Sequence, residues 1–271
     1  MMWVRATIIT ATLLRQSAGH GAVGAPANYC APVDISLASV YFDCDSTLSS
    51  IEGVDELLQF AEPTLRQDIA ALTTQAMNGT VPLAEVYESR LSQLAPRREQ
   101  LDLVGEHYVQ NLVPDALATI EALQFLGKHV GIVSGGLLVP VQHLARHLGV
   151  PLDCVHAVPL HFEADGAYRD FDHDSPLWQN GGKIVVVRSL PDEHRPMVFV
   201  GDGITDLETK EHVGRFVGFG GVVTRDAVKA GADYFVETNS LAAVLANVLT
   251  EQERRELQQQ ERFCSLPIYP N

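Results

Sequence analysis

Two carboxylates, Asp43 and Asp45, stand either side of a cysteine and are followed at once by Ser46 and Thr47. Such a pair can divide its labour, one carboxylate attacking an electrophile while the other carries a proton. Downstream, Ser134-Gly135-Gly136 offers a hydroxyl and turn amides, and Gly201-Asp202-Gly203-Ile204-Thr205-Asp206 brings two more carboxylates four residues apart. Between these clusters Lys183 follows Gly181 and Gly182. A hydroxyl, a glycine amide and an ammonium can hold phosphoryl oxygens, and hard carboxylate oxygens suit Mg2+. An anion clamp, a cation and an in-line nucleophile are the parts of phosphoryl transfer. Any one cluster could be a solvated strand end, and Lys183 alone a surface lysine. The weight lies in finding all of them, in this order, in one chain.

The elements that must position these groups read as strands alternating with helices. Ser39–Phe42 is a short apolar run that ends in Asp43, Val130–Val133 ends in Ser134, and Met197–Val200 ends in Gly201-Asp202. Arg215–Phe219 and Tyr234–Val236 are shorter strand candidates. Helical patterns cover Asp115–Phe125, Val139–Leu148, Lys183–Leu190, Asp206–Val213, Arg225–Ala230 and Leu241–Leu249. This alternation predicts an α/β fold, a Rossmann-like, mainly parallel sheet covered on both faces. Ligands of such sheets collect at the carboxyl ends of the strands, where all three polar clusters fall.

Two segments interrupt the alternation. Residues 49–114 show only helical patterns, with Ile51, Val54, Leu57, Leu58 and Ala61 on one stripe, and read as a helical cap inserted after the first strand. Val155–Phe171 carries Asp165-Gly166 between alternating residues, the mark of a β-hairpin turn. The expected organisation is an extension at 1–38, a core at 39–48 and 115–250, the cap at 49–114, and a polar tail at 251–271 placed on the surface.

Composition narrows the function classes. The chain has 271 residues, 46% apolar and 20% charged, enough for a packed core. Its 34 acidic against 19 basic side chains, net −15, argue against a nucleic-acid partner. No apolar run reaches the roughly 18–20 residues of a membrane span. Cys30, Cys44, Cys154 and Cys264 are scattered without a CxxC pair, as reduced thiols of a cytoplasmic protein would be. The histidines His20, His107, His156, His161 and His173 show no ligand spacing. Residues 1–33 hold Arg5 and Arg15 and no carboxylate, and read as a short signal-like stretch, an organellar targeting peptide or a loose Ala/Gly-rich extension. The 38 residues before the core are too few for an amino-terminal regulatory domain. A monomer or homodimer is expected.

The polar clusters resemble the four motifs of the haloacid dehalogenase superfamily: DxDxT at Asp43, Asp45 and Thr47, then Ser134, Lys183, and GDGxTD at Gly201–Asp206. Within it the likeness is to phosphoserine phosphatases, through FDCDSTLSSIEGVDEL, QAMNGTVPLAEVYESRL, VSGG, NGGK, VGDGITDLE and VGFGG in the same order. The resemblance spans about Val40 to Leu249. It implies a Mg2+-dependent hydrolase of O-phospho-L-serine acting through an aspartyl phosphate. Asp43 would be the nucleophile and Asp45 the acid and base. Asp43, Asp202 and the backbone carbonyl of Asp45 would hold the metal, with Asp206 orienting its shell. Ser134, Gly135, Gly136, Lys183 and Thr205 would meet the substrate and its phosphate.

The same resemblance assigns Glu52 to the substrate's amino group, Arg90 to its carboxylate, and Met77 and Asn78 to a turn over the substrate. Helical phase bears on Arg90 independently. Seven residues at about 100° each bring Leu83 and Arg90 within roughly 20° of one another, so the arginine follows the apolar face of Leu83, Val86 and Tyr87. A bidentate carboxylate would explain a charge there. An internal ion pair with a cap carboxylate such as Glu52 would explain it as well, and Met77 could be core filler. Leu83, Leu137 and Val158-Pro159 depart from the family pattern and bear on the shape of the specificity pocket. Three other readings stand beside it: a phosphotransferase to an alcohol such as homoserine, which shares the four motifs; a phosphatase for another small ester; and a catalytically silent binding module, against which the retention of every catalytic position counts.

Overall fold

The computed structural model describes residues 35–69 and 83–269. Six parallel strands form one sheet: β1 (Ser39–Phe42), β2 (His129–Leu137), β3 (Val155–Val158), β6 (Met197–Gly201), β7 (Arg215–Phe219) and β8 (Tyr234–Val236). Their spatial order is β3-β2-β1-β6-β7-β8. The two remaining strands, β4 (Leu160–Phe162) and β5 (Tyr168–Phe171), pair antiparallel as a separate hairpin. Every residue of β1 and β6 is buried. A strand covered on both faces cannot spare a polar side, which is why these segments read as unbroken apolar runs.

The order of the strands creates the site. From β1 the chain steps outward through β2 to β3, then crosses back and steps the other way through β6, β7 and β8. The reversal lies between β1 and β6, whose register pairs Phe42 with Val200. Asp43 continues that register, donating its amide to the Val200 carbonyl at 2.9 Å. The residues after β1 and β6 therefore emerge side by side at the crevice where such sheets bind ligands.

Helices cover the sheet: α1 (Gly53–Glu56), α2 (Leu83–Leu94), α3 (Arg98–Gln110), α4 (Ala116–Phe125), α5 (Leu138–Leu148), α6 (Gly182–Ser189), α7 (Ile204–Leu207), α8 (Asp226–Gly231), α9 (Leu245–Val248) and α10 (Glu251–Gln258). A further helical stretch covers 63–69. α1, α2 and α3 arise between β1 and β2. α3 lies close against α5, and Gly105 makes this possible, because a Cβ there would come within 2.6 Å of the His143 Cβ.

Three local readings change. β2 runs on through Ser134-Gly135-Gly136 to Leu137, with its register against β3 shifted between Val133 and Leu137. The helix expected over Asp206–Val213 splits into α7 and a 3-10 turn at Lys210–His212. α10 is not a solvated surface helix, since Arg254 and Leu257 are buried. Lys128 anchors it from the sheet side, donating to Glu253 and to the Leu37 carbonyl, each at 2.8 Å. Its polar composition hides a two-residue docking face, too short to register as periodicity.

Candidate active site

The turn after β1 is tight. Ser46 adopts φ 53°, a left-handed conformation that a serine holds only at a cost of order 1 kcal/mol. Its hydroxyl donates to Glu52 at 2.7 Å, and the Cys44 amide donates to Asp43 Oδ1 at 2.8 Å. The turn thereby directs Asp43 and Asp45 into the crevice together.

Lys183 reaches Asp43 from α6. Gly181, at φ 75°, makes the left-handed bend that starts α6, and Gly182 lies so close to the Pro176 carbonyl that a Cβ would sit 1.9 Å from it. The glycines thus press the first turn of the helix against the Pro176–Trp178 segment. The buried Lys183 ammonium then bridges Asp43 at 2.8 Å and Asp206 at 2.5 Å. Burial opposes its charge, but Asp206 and Asp43 outweigh that and hold the ammonium protonated well above the usual lysine range.

Asp202 and Asp206 enter from the loop after β6. Thr47 donates to Asp202 at 3.1 Å, and the Gly203 amide donates to Asp206 Oδ2 at 2.8 Å. Gly201 leaves room for this arrangement, because a Cβ there would lie 2.3 Å from the Asp206 carboxyl carbon. Asp43, Asp202 and Asp206 are all buried and bring carboxylate oxygens within 4.8 Å of one another, a set that could hold a metal ion. Burial, reinforced by the charge of Asp43, pushes Asp202 up to about 7 and Asp206 up to about 8, against the pull of Arg225 and Lys183 respectively. These are hard oxygen donors in surplus negative charge, which is the chemistry a divalent cation relieves.

Asp45 is held differently. Its Oδ1 accepts from the Tyr108 hydroxyl at 2.6 Å and the Gly53 amide at 2.8 Å. Burial, with Glu52 and Asp43 nearby, raises its pKa well above the ordinary carboxylate value, although both hydrogen bonds pull the other way. A carboxyl so placed holds its proton more firmly than an ordinary carboxylic acid, the direction a general acid needs.

Ser134 is fully buried and accepts the Gly136 amide at 2.9 Å. Gly135 packs near the Leu177 carbonyl, and Thr205 lies beside Gly203. Glu52 keeps close to the turn through Ser46, with burial as the main cause of its raised pKa. Arg90 is largely buried, its side chain 15% exposed, and its guanidinium pairs with Asp55. The internal partner is thus Asp55, while Glu52 is engaged by Ser46. Among the described residues, Arg90 Nε and the hydroxyl of Tyr87, one turn earlier on α2, are buried without a hydrogen-bond partner. Met77, Asn78 and the side chain of Leu83 lie outside the described residues.

Two residues of the site carry no signal in the local sequence. Tyr108 lies 63 residues from Asp45, and Arg225, which pairs with the Asp202 carboxylate, lies 23 residues beyond it. Arg225 follows β7, so extending the strand-end rule to the neighbouring strand would have pointed to it. Tyr108 sits on a buried helix face and looks like core.

A parallel sheet whose central strand delivers a buried carboxylate to a lysine and two further aspartates defines a class of α/β hydrolases. The sequence matches the haloacid dehalogenase-like hydrolase family over residues 40–210, and the chain belongs to that family. It is 35% identical over 203 residues to phosphoserine phosphatase of Bos taurus, covering 74% of this chain and 89% of the relative. Over 205 residues it is 32% identical to the chloroplastic phosphoserine phosphatase of Arabidopsis thaliana, covering 74% of this chain and 69% of that one. The solved structure of a phospho-aspartyl intermediate analogue of phosphoserine phosphatase superposes with a TM-score of 0.63 at 24% identity, covering 78% of this chain and 98% of the other. At that identity the likeness shows the fold. With such relatives, the chain is an enzyme, a phosphatase. Among the described residues no helix is long and apolar enough to cross a membrane.

Proposed function

We propose that this phosphatase hydrolyses O-phospho-L-serine to L-serine and phosphate through an aspartyl phosphate on Asp43. The observation that carries the reading is the pairing of two unlike carboxyls on one turn. Asp43 is ion-paired to Lys183 at 2.8 Å, while Asp45 is buried and pushed toward its protonated form. An ion-paired carboxylate beside a carboxyl that keeps its proton is suited to separate nucleophile and acid roles.

In the first step an Asp43 oxygen bonds to phosphorus as the bond to the serine oxygen breaks, and Asp45 gives that oxygen its proton. In the second, Asp45 takes a proton from water as the water oxygen attacks phosphorus, and the Asp43–phosphorus bond breaks. Lys183, Ser134 and the Gly135 and Gly136 amides are read as the clamp on the phosphoryl oxygens, with Thr205 beside them. Mg2+ fits the oxygen donors of Asp43, Asp202 and the Asp45 carbonyl, and when bound it would neutralise charge on the phosphoryl group. Both Asp206 oxygens already accept donors, from Lys183 and Gly203, which suits an orienting role.

The choice of phosphoserine rests on the curated relatives and on the cap reading of residues 49–114, which would bring Glu52, Met77, Asn78 and Arg90 over the substrate. The buried, unpartnered Nε of Arg90 is a donor suited to a carboxylate. The described cysteines Cys44, Cys154 and Cys264 are free, in keeping with a reducing cytoplasm, and residues 1–33 are read as a candidate targeting segment in view of the chloroplastic relative. A phosphate-release panel over phosphoserine, phosphothreonine, phosphoethanolamine and p-nitrophenyl phosphate tests the assignment. Phosphoserine should lead in kcat/KM; a flat profile would overturn it. Adding homoserine and finding phosphohomoserine would mark a phosphotransferase.

A further inference from the structure

Asp45 is attached to β1, yet its carboxyl group is oriented by the helices that follow. Tyr108, fully buried on α3, donates its hydroxyl to Asp45 Oδ1 at 2.6 Å, and the Gly53 amide at the start of α1 donates to the same atom at 2.8 Å. The two donors are tightly fitted to each other. A Cβ on Gly53 would fall 2.0 Å from the Tyr108 hydroxyl, so only glycine lets the tyrosine reach past α1 to the acid.

Two donors on one carboxyl oxygen occupy both of its in-plane lone pairs. Oδ1 is left with no place for a proton, and the proton of the acid must ride on Oδ2. That oxygen lies beside Gly136 and Ser134: a Cβ on Gly136 would lie 3.0 Å from Asp45 Oδ2, 3.1 Å from the Ser134 hydroxyl and 3.3 Å from that of Tyr108.

We propose that Tyr108 is a positioning residue for proton transfer, fixing Asp45 so that its transferable proton sits on Oδ2, toward the ester oxygen of a phosphate held at Ser134 and Gly136. This rests on reading Asp45 as the general acid. As the phosphorus–alcohol bond breaks, the Oδ2 proton passes to the departing oxygen. The charge left on the carboxylate is met by the Tyr108 and Gly53 donors at Oδ1, and Tyr108 keeps its own proton throughout. In the second half-reaction Oδ2 receives a proton from the attacking water, which restores the acid. Both donors come from the segment between β1 and β2, so elements outside the sheet orient the acid.

The test uses leaving groups of different basicity. Phosphoserine expels an alkoxide that needs a proton, whereas p-nitrophenyl phosphate expels a stabilised phenolate that does not. The readout is kcat/KM, which reports the step that expels the leaving group. Tyr108→Phe keeps the ring and removes one oxygen, and a thermal melt checks that packing is retained. The ratio of kcat/KM for phosphoserine to that for p-nitrophenyl phosphate should fall by roughly ten- to a hundredfold, the factor expected for losing a hydrogen bond to a charged group. In an Asp45→Asn background the same change should move the ratio less than about twofold, because the group it positions is already gone.

Equal losses on both esters, or an undiminished effect in the Asp45→Asn background, would show that Tyr108 only packs, and would leave the general acid reading standing. If Asp45→Asn itself leaves the ratio unchanged, Asp45 is not the acid, and the proposal falls together with the reading beneath it.

Discussion

Arg90 offers the sharpest test of what the enzyme recognises, because the structure shows it already occupied. Its guanidinium pairs with Asp55, whose side chain is 46% exposed, while Arg90 itself is 15% exposed. A substrate carboxylate must therefore displace Asp55 or share the guanidinium with it, and Nε, which has no partner among the described residues, is one donor left for it. The two changes act in opposite directions. Arg90→Ala removes a charge-assisted contact worth roughly 1.5–3 kcal/mol, so kcat/KM for phosphoserine should fall by about one to two decades. p-Nitrophenyl phosphate has no carboxylate and should lose only what general loosening of α2 costs. Asp55→Asn instead removes the competitor. The pair is half in solvent, where such bridges contribute about 0.2–1 kcal/mol, so the KM for phosphoserine should drop by a factor of roughly 1.4–5. Steady-state kinetics on both esters, beside thermal melts, measures all four quantities. Equal losses on the two esters in Arg90→Ala, with no fall in KM in Asp55→Asn, would show that Arg90 and Asp55 only brace the helices. The phosphoserine assignment would then stand on similarity alone.

Asp43→Asn removes the nucleophile at nearly constant shape, so turnover should fall by roughly 10³-fold or more with the melting temperature kept; magnesium-dependent turnover near wild type would refute the covalent route. Chelation should abolish phosphate release and Mg2+ restore it, with the acids of the crevice as the site; activity that survives exhaustive chelation would refute the metal reading. In the metal-free protein, Asp202 and Asp206 are raised from 3.8 to about 7 and about 8, so the folded state holds more protons than the unfolded one between those values. Their contribution to stability is thus lost as pH rises through that window. Mg2+ should raise the melting temperature more at pH 8 than at pH 5, and an equal shift at both would contradict it. His156 has the opposite sign. Burial, then His194, lowers it below 6.5, so the folded state resists protonation and stability should decline as pH falls below about 6.5. His156→Gln should flatten that acid limb in melts taken across pH 4.5–7.

The core was legible because its signals are local. A doubly buried strand must be apolar along its whole length, and the polar residue that ends it marks the crevice, so Phe42-Asp43 and Gly201-Asp202 announced themselves; Ser134 stood out in the same way, although β2 runs on past it to Leu137. Helix ends were less plain. α7 gives way after Leu207, where the Thr209 amide and hydroxyl both donate to the Asp206 carbonyl, at 2.9 and 2.7 Å, a local contact that the pattern over Asp206–Val213 does not contain. α10 was misread for a different reason. Its burial depends on Lys128 and Leu37, which lie far away in sequence, and a helix that is mostly polar gives no warning that Arg254 points inward.

What remained hidden in the site shares one physical character. The groups of the crevice readable in sequence lie at or near strand ends or, for Lys183, at the start of α6. Tyr108 and Gly53 act on Asp45, Asp55 on Arg90 and Arg225 on Asp202, each from another element, and each occupies a position that its own neighbours explain well enough: a core tyrosine, a helix-start glycine, a first-turn acid, a loop arginine. A hydrogen bond between Tyr108 and Asp45 becomes visible only when α3 is laid across the turn that follows β1. The division has a functional consequence. Asp43 and Asp202 are held by a buried sheet, while the orientation of the Asp45 carboxyl and the pairing of Arg90 are set by helices inserted between β1 and β2. On the proposed mechanism, a change in that inserted segment would alter substrate choice and proton delivery while Asp43, Lys183 and Asp202 keep their places.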